Sequence, residues 1–270
     1  MNNQSVLNEG AANKPLCIVC VIPARLKAQR FPGKMLRSIA GKPLLQWVWE
    51  AASTVTCFDQ VIFAIDSPEI AKLIEQFGGR YIMTSEQCTG GTERLVEIMK
   101  SAKISADIWV NWQGDEPFIT NDMVAHLLQS HQNDTADVWT LKKRITDSTQ
   151  IINPNIAKVV CDNRGFALYF SRSMMPFYRD VDLICLDANK HLFYKHIGLY
   201  AFTTNALQKI ALMNMSGLED AEKLEQLRWL QNGLSVRVHE TDRDVRGIDT
   251  PQDLEYAEEY ATIGKACNLC

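Results

Sequence analysis

Apolar runs alternate with segments of helical period through the first half of the chain, and this alternation restricts the fold more than any other feature. The apolar runs are LCIVCVI, QVIFAID, YIMT and DIWVNWQ, and the helical segments are KPLLQWVWEAAS, PEIAKLIEQF, TERLVEIMKSA and NDMVAHLLQSH. Such apolar runs are typical of strands that are buried on both faces in a parallel sheet. Four strand–helix units in about 130 residues predict a Rossmann-like, mostly parallel α/β sheet flanked by helices.

The pattern changes in the second half, where strand-like segments follow one another without helices between them. These segments are VWTLKKRI, KVVCD, FALYFSR and YKHIGLYAF, and the tripeptide NRG is a hairpin turn. A capping box, Ser216-x-x-Glu219, then opens a helix over SGLEDAEKLEQLRWLQNG, SVRVHET is a strand, and Thr250-Pro251 begins the last helix. We expect a disordered tail at 1–15, one domain at 16–262 with an antiparallel insertion at about 153–203, and a frayed C-terminus at 263–270.

Composition limits the kinds of partner. The 270 residues carry a net charge of -4, and the isoelectric point is near 5.8. This charge argues against general binding to nucleic acid or to an anionic membrane surface, so an anionic ligand must meet a local cluster of cations. The sequence contains no apolar run of about 20 residues, and its first residues lack the pattern of a signal peptide. We therefore expect a cytoplasmic protein.

Eight cysteines include two pairs at metal-ligand spacing, Cys17-x-x-Cys20 and Cys267-x-x-Cys270. Cys17 and Cys20 lie in a predicted strand, where positions three apart point to opposite faces and do not share a metal. Reduced cysteines that pack as small apolar residues are favoured over zinc ligands.

The basic stretch VIPARLKAQRFPGK follows the first strand, and ligands bind at the carboxyl ends of strands in open parallel sheets. It matches neither the dinucleotide-binding nor the P-loop glycine pattern. Its cations Arg25, Arg30 and Lys34 lie on a loop kinked by Pro-Gly and are suited to surround a polyphosphate. The alternative is a solvated basic turn.

Two later loops contribute acids at strand ends. Asp115 and Glu116 belong to QGDEP, and Asp249 belongs to GIDTPQD. Two carboxylates directed into one crevice suit Mg²⁺, a hard cation that also bridges to substrate phosphates. The alternative for Asp249 is a partner of the helix N-terminus that follows it, and Glu116 before a proline is interpreted as structural.

The ordered set IPAR, RFPGK, GTER, NWQGDEP, ALYFSR, HIGLYAF, LEQLR and GIDTPQDLE resembles the 3-deoxy-manno-octulosonate (Kdo) cytidylyltransferases, over about residues 17 to 258. PAR and GDEP occur across sugar nucleotidyltransferases, whereas FSR, HIGLY and LEQLR together are specific to the Kdo enzymes. The resemblance implies a nucleotide-diphospho-sugar transferase fold, with CTP and Kdo as substrates and Mg²⁺ as cofactor. It also implies a homodimer, for which the antiparallel extension with Leu183, Ile184 and Leu186 is a candidate interface.

The resemblance also assigns residues to each part of the site. The catalytic group is Arg25, Lys34, Asp115 and Asp249, of which the two aspartates bind the metal. The nucleotide side comprises Pro23, Ala24, Arg25, Arg30, Lys34, Thr92, Arg94 and Gln113. The Kdo side comprises Arg172, His196, Tyr200, Glu225 and Gln226.

The chain departs from the family pattern at Ala28-Gln29, where relatives carry small hydroxyl residues. We expect a hydroxyl contact to phosphate to be missing there or to be replaced by Gln29. Three alternatives stay open: an amino-substituted Kdo or sialic-type acid as substrate, a uridylyl- or guanylyltransferase, and a non-catalytic nucleotide-binding protein of the same fold.

Overall fold

The first apolar run forms the central strand of the computed structural model of the protein. The structure describes residues 16–27, 31–181, 187, 188, 190 and 192–267. Its strands are β1 (Ile18–Ala24), β2 (Ser38–Ile39), β3 (Lys42–Pro43), β4 (Gln60–Ile65), β5 (Tyr81–Met83), β6 (Ile108–Asn111), β7 (Val138–Arg144), β8 (Lys158–Cys161), β9 (Ala167–Ser171), β10 (Tyr194–Thr203) and β11 (Val236–Glu240).

The main sheet has the strand order β11-β7-β10-β6-β1-β4-β5. β1 pairs in parallel with β4 and β6, β5 is parallel to β4, and β11 is parallel to β7. Only β10 in this order is antiparallel to its neighbours, β6 and β7. The predicted mostly parallel sheet is confirmed, and the carboxyl ends of β1, β4, β6, β7 and β11 lie along one edge.

The segment predicted as an antiparallel extension, residues 153–203, is divided between two places. β8 and β9 form a hairpin that joins the sheet through a short pairing of β8 with β10. β10 instead lies inside the main sheet. Its residues Leu199–Phe202 are all buried, so this strand needs cover on both faces, which a peripheral hairpin does not provide. Leu183, Ile184 and Leu186 lie outside the described residues.

Helices cover both faces of the sheet. Ser67 caps the second helix, because its Oγ accepts a hydrogen bond from the backbone N–H of Ile70 at 3.2 Å, and Gly78 follows its end with a φ of 73°. No helix within the described ranges is long and apolar enough to cross a membrane. The helices are α1 (Leu44–Ser53), α2 (Pro68–Gln76), α3 (Gly91–Lys100), α4 (Asn121–Leu128), α5 (Thr149–Ile152), α6 (Thr204–Ile210), α7 (Gly217–Glu222), α8 (Gln226–Gln231) and α9 (Pro251–Cys267).

The two faces of β1 belong to two separate hydrophobic clusters. Cys20 and Ile22 pack in the cluster under α1, α2 and α4, whereas Val19 and Val21 pack in the cluster under α3, α6 and α8. Cys17 packs beside Val19, on the face opposite Cys20. The strand alternation thus separates these two cysteines as predicted. The side chains of Cys267 and Cys270 lie outside the described residues.

The helix predicted after Ser216 is divided into α7 and α8. The capping box is present, since Ser216 Oγ accepts from the N–H of Glu219, and the Glu219 carboxylate accepts from the N–H of Ser216. The division occurs at Lys223, whose φ of 52° is left-handed and ends the first helix. Glu225 therefore lies at the start of α8 rather than within a continuous helix.

Candidate active site

A cleft of about 680 Å³ opens at the carboxyl edge of the sheet. Its walls come from the end of β1, the loop after β6, the start of α3 and the loop before α9. This is the place where open α/β sheets bind ligands. The predicted site residues that line it are Pro23, Arg25, Lys34, Arg94, Gln113, Asp115 and Asp249.

Lys34 connects the two predicted metal-binding aspartates directly. Its Nζ lies 2.5 Å from Asp115 Oδ2 and 2.9 Å from Asp249 Oδ1, and the residue is only 7% exposed. Gly33 precedes it with a φ of 70°, which turns the chain into a short 3-10 helix at Lys34–Leu36. Burial acts to lower the pKa of Lys34, but the two carboxylates outweigh it and raise that pKa, so the side chain is a cation.

The loop that carries Asp249 is attached to the loop that carries Asp115. The Ile248 N–H donates to the Asp115 carbonyl oxygen at 2.9 Å. Thr250 caps the start of α9, because its Oγ1 accepts from the N–H of Asp253, and Asp253 Oδ2 accepts in return from the N–H groups of Asp249 and Thr250. The Asp249 carboxylate, directly before this cap, accepts from Lys34.

These carboxylates fit a divalent cation. A single ammonium nitrogen contacts an oxygen of each, so one small cation at a similar position would contact both. Oxygen donors of this kind suit Mg²⁺. No group of three or more His, Cys, Asp or Glu side chains that could hold a metal occurs among the described residues, so the remaining ligands would come from water or substrate phosphates.

Glu116, interpreted from the sequence as structural, also lines the cleft. Its Oε2 is buried and has no hydrogen-bond partner among the residues that the structure describes. Burial, with the nearby charges of Asp115 and Asp249, raises the pKa of Glu116 to about 8 against the opposing effect of Lys34. Glu116 is therefore largely protonated near neutral pH. In the sequence, the position of Glu116 directly after Asp115 was the one signal that it belongs to the cleft.

The predicted nucleotide cations differ in what they contact. Arg25 lies at the cleft rim and donates to the Thr89 carbonyl oxygen at 3.0 Å. Arg94 is 2% exposed, and its guanidinium donates to Asp66 Oδ2 at 2.8 Å and to Thr84 Oγ1 at 2.6 Å. Arg94 thus stabilises the cleft wall through hydrogen bonds to other residues of the protein. Arg30, with Ala28 and Gln29, lies outside the described residues.

A second cavity, of about 470 Å³, adjoins the cleft and shares Arg25, Thr89 and Arg94 with it. Asp66 also lines it and accepts from the backbone N–H of Leu26 at 3.0 Å. The loop after β1 therefore separates two neighbouring compartments. Ala24 is buried at the end of β1 and lines neither cavity.

The residues predicted for the sugar side do not line the 680 Å³ cleft. Arg172 donates from Nε to the Glu222 carbonyl oxygen at 2.7 Å and from Nη1 to the Pro154 carbonyl oxygen at 3.1 Å. His196 and Tyr200 lie side by side on β10, with ring centroids 5.3 Å apart. Burial lowers the pKa of His196 to about 3, so the imidazole is neutral.

Glu225 and Gln226 lie behind the start of α3. Glu225 Oε1 accepts from Thr92 Oγ1 at 2.8 Å, and burial raises the pKa of Glu225 to about 7 although this bond lowers it. The Nε2 of buried Gln226 has no hydrogen-bond partner among the described residues. Thr92, predicted on the nucleotide side, is buried behind the cleft wall. Asn111, which the sequence did not single out, accepts from Gln113 Nε2 at 3.1 Å.

Comparisons with known proteins agree with this architecture. Residues 19–240 match the family model described as Cytidylyltransferase. A 3-deoxy-manno-octulosonate cytidylyltransferase of Trichlorobacter lovleyi is 44% identical over 92% of this chain and 99% of its own length. The corresponding protein of Thermodesulfovibrio yellowstonii is 42% identical over 89% of this chain and 96% of its own.

Solved structures give the same result. A CMP:2-keto-3-deoxy-manno-octonic acid synthetase complexed with CTP superposes with a TM-score of 0.84 at 39% identity, covering 92% of this chain and 99% of that chain. A 4-diphosphocytidyl-2C-methyl-D-erythritol synthase from Anaerococcus prevotii shares the fold alone, with a TM-score of 0.60 at 13% identity over 92% of this chain and all of its own.

The family match and the relatives, together with the sheet and its cleft, define a nucleotidyltransferase. The chain belongs to the cytidylyltransferase family, in which relatives at 40–44% identity are 3-deoxy-manno-octulosonate cytidylyltransferases. The family resemblance inferred from the sequence motifs is thereby confirmed.

Proposed function

We propose that the protein transfers CMP from CTP to Kdo, which gives CMP-Kdo and pyrophosphate for lipopolysaccharide synthesis. The observation that carries this proposal is the full-length likeness to a Kdo synthetase whose structure holds CTP, at 39% identity and a TM-score of 0.84. The cleft supports it independently, because three predicted catalytic residues converge there through the Lys34–Asp115–Asp249 contacts.

The reaction needs positioning and charge stabilisation rather than a covalent intermediate. The anomeric oxygen of Kdo forms a bond to the α-phosphorus of CTP as the bond from that phosphorus to pyrophosphate breaks, and the hydroxyl proton passes to solvent. We assign Arg25 and Lys34 to the phosphates, where their charges stabilise the leaving pyrophosphate. For this role Lys34 exchanges its two carboxylate partners for phosphate oxygens.

Family cytidylyltransferases generally use a divalent metal, and we propose Mg²⁺ on Asp115 and Asp249. When bound, Mg²⁺ neutralises phosphate charge and lowers the pKa of the attacking hydroxyl. The part of the protein in this arrangement is to hold two carboxylates close together, beside Glu116, whose pKa is raised to about 8 in the metal-free protein.

Arg172 is proposed to hold the Kdo carboxylate, with neutral His196, Tyr200, Glu225 and Gln226 beside the sugar hydroxyls. Arg172→Ala is expected to raise the KM for Kdo much more than the KM for CTP, which steady-state kinetics measures. Exposed Arg164→Ala, at the hairpin turn, is the matched control. An equal effect of Arg172→Ala on both substrates would place this residue elsewhere.

The direct test measures pyrophosphate release with each of the four nucleoside triphosphates, Mg²⁺ and a panel of acidic sugars. We expect release with CTP and Kdo. Preference for an amino-substituted Kdo, a sialic-type acid or another nucleotide would redirect the substrate assignment, and release with none would favour the non-catalytic alternative.

We propose two further properties of the whole protein. One is a homodimer, supported by exposed apolar side chains on the segment between β8 and β10. The other is a cytoplasmic location, which fractionation of cells would test.

A further inference from the structure

A chain of side-chain hydrogen bonds runs behind the cleft wall and connects Gln113, which lines the cleft, with Glu225, which is predicted on the sugar side. Gln113 Nε2 donates to Asn111 Oδ1 at 3.1 Å, Asn111 Nδ2 lies 3.5 Å from Thr92 Oγ1, and Thr92 Oγ1 donates to Glu225 Oε1 at 2.8 Å. The four residues come from the end of β6, the loop after it, the start of α3 and the start of α8. We call this set the buried relay.

The two middle members of the buried relay are shut off from solvent. Asn111 and Thr92 are both fully buried, and neither is placed to contact a ligand in the cleft. Buried amides and hydroxyls are costly unless they are hydrogen-bonded, so their partners restrict their orientation. The relay therefore holds its two end groups in a defined arrangement.

The direction of the bonds follows from the chemistry of each group. The Thr92 hydroxyl donates its single proton to Glu225 Oε1, and this is the required direction whenever the Glu225 carboxylate is ionised, because that form only accepts. The Thr92 oxygen then accepts from the Asn111 amide nitrogen, which leaves the Asn111 carbonyl oxygen to accept from Gln113. Because Gln113 uses Nε2 in this bond, its acceptor atom Oε1 is the end turned away from Asn111.

The backbone of α3 makes room for this arrangement. A Cβ on Gly91 would lie 3.2 Å and 3.3 Å from the Asn111 amide atoms, which is tight, whereas one on Gly90, before α3, would meet Glu225 Oε2 at an ordinary contact distance of 3.6 Å. Both glycines also line the cleft. The relay thus lies directly behind the wall that a substrate would touch.

We propose that Asn111 and Thr92 are positioning residues, which act through Gln113 on the cleft wall and through Glu225 on the sugar side. This inference rests on the proposed function, because the sugar side is defined by it. The relay sets the amide orientation that Gln113 presents to a donor group of the substrate, and it holds the Glu225 carboxylate in place.

The test compares Thr92→Val with Thr92→Ser. Valine keeps the shape but removes the hydroxyl, and we expect a fall in kcat/KM for Kdo of about 10- to 100-fold, by analogy with groups that orient metal ligands. Serine keeps the hydroxyl, so its kcat/KM for Kdo is expected to stay close to that of the wild type. Equal kinetics of the two variants would overturn the proposal.

A double-mutant cycle separates a relay from a general loss of stability. The double variant Thr92→Val/Glu225→Gln is expected to lower kcat/KM for Kdo much less than the product of the two single reductions, because both changes break the same chain. Arg172 lies outside the relay, so the reductions in kcat/KM caused by Thr92→Val and by Arg172→Ala are expected to multiply in the double variant. Multiplicative effects in both cycles would contradict the proposal.

A readout without substrate keeps this inference separate from the proposed function. In the ¹⁵N spectrum of the full chain, the side-chain amide signal of Gln113 is expected to shift in Thr92→Val and in Asn111→Leu but not in Arg172→Ala. An unmoved signal in the two relay variants would reject the relay whatever the protein catalyses.

Discussion

Lys34 holds Asp115 and Asp249 at a separation that one cation bridges, with its ammonium 2.5 Å and 2.9 Å from their oxygens. Water screens the attraction between these charges less than it would at the surface, while the desolvation of the ammonium opposes that gain. At the scale of single residues, three side chains from three separate segments thus meet in the cleft, and under the proposed function its chemistry depends on them.

Loss of either aspartate is expected to reduce turnover strongly. Asp115→Asn or Asp249→Asn should lower kcat at least about 10²-fold, the scale of a lost electrostatic contact in a transition state. Steady-state pyrophosphate release measures this. Asp122→Asn, a matched change at an exposed aspartate, should leave kcat unchanged. Near-normal turnover in both site variants would reject the metal assignment.

Glu225 gives the stability of the protein a dependence on pH. Burial raises its pKa from 4.5 in the unfolded chain to about 7, so the folded state retains a proton that the unfolded state releases. This contribution to the free energy of unfolding is fully present below about pH 4.5 and is lost as the pH rises through about 7.

Replacement of Glu225 by glutamine should remove that dependence. We expect the Tm of Glu225→Gln, relative to the wild type, to rise by roughly a few degrees between pH 5 and pH 8. Thermal unfolding at several pH values measures it, with Glu255→Gln on the exposed face of α9 as the control. A constant Tm difference across this range would contradict the prediction.

At the scale of elements, the loop after β6 packs directly on the end of β1. A Cβ at Gly114 would lie 2.7 Å from the Pro23 carbonyl oxygen, and the Gly114 N–H donates to that same oxygen. The Pro23 carbonyl oxygen belongs to the backbone of β1 and cannot move aside as the end of a flexible side chain can. The glycine therefore fixes the approach of Asp115 to the cleft.

Gly114→Ala is expected to destabilise the protein by about 1–3 kcal/mol, the usual cost of an overpacked position. It should also lower kcat by displacing Asp115. Thermal unfolding and pyrophosphate release measure the two effects. Gly217→Ala, at a position where an added Cβ meets nothing within 4 Å, should change neither. Unaltered stability in Gly114→Ala would mean that the loop is not held at this distance.

The sequence predicted the elements whose signals are local. The apolar runs located β1, β4, β5 and β6, and the Ser216–Glu219 capping box located the start of α7. The break at Lys223 and the central position of β10 depend on packing between distant segments, which a local pattern does not contain. Asn111 was not predicted as a site residue for the same reason, because its partner Thr92 is close to it only in the folded chain.

Motif matches predicted the cleft residues Arg25, Lys34, Asp115 and Asp249, which the fold brings together. They did not predict how these residues are paired. The sequence contains no sign that Lys34 contacts both aspartates, or that Glu116 loses its charge, since both depend on burial and on loop geometry.

At the scale of the whole molecule, the segment between β8 and β10 exposes apolar side chains. Leu168 is 62% exposed, Phe177 76% and Leu192 52%. Clusters of exposed apolar residues on soluble proteins often mark interfaces with other chains. We propose these three side chains as candidates for the interface of the dimer predicted from the family resemblance, at positions other than the predicted Leu183, Ile184 and Leu186.

Light scattering on the purified protein should give a mass about twice the 30.5 kDa of one chain. Leu168→Asp is expected to shift the protein toward the monomer, because a buried charge opposes association. Leu212→Asp, at a highly exposed leucine after α6, should leave the mass unchanged. A monomer at micromolar concentration in the wild type would reject the dimer.

The double contact of Lys34 has a thermodynamic consequence for ligand binding. A metal ion that arrives alone must compete with the ammonium for Asp115 and Asp249, whereas a triphosphate offers that ammonium another partner. Under the proposed function, metal and CTP are then expected to bind with positive cooperativity. By linkage, each would raise the affinity of the other by the same factor, and such couplings are typically about 5- to 150-fold.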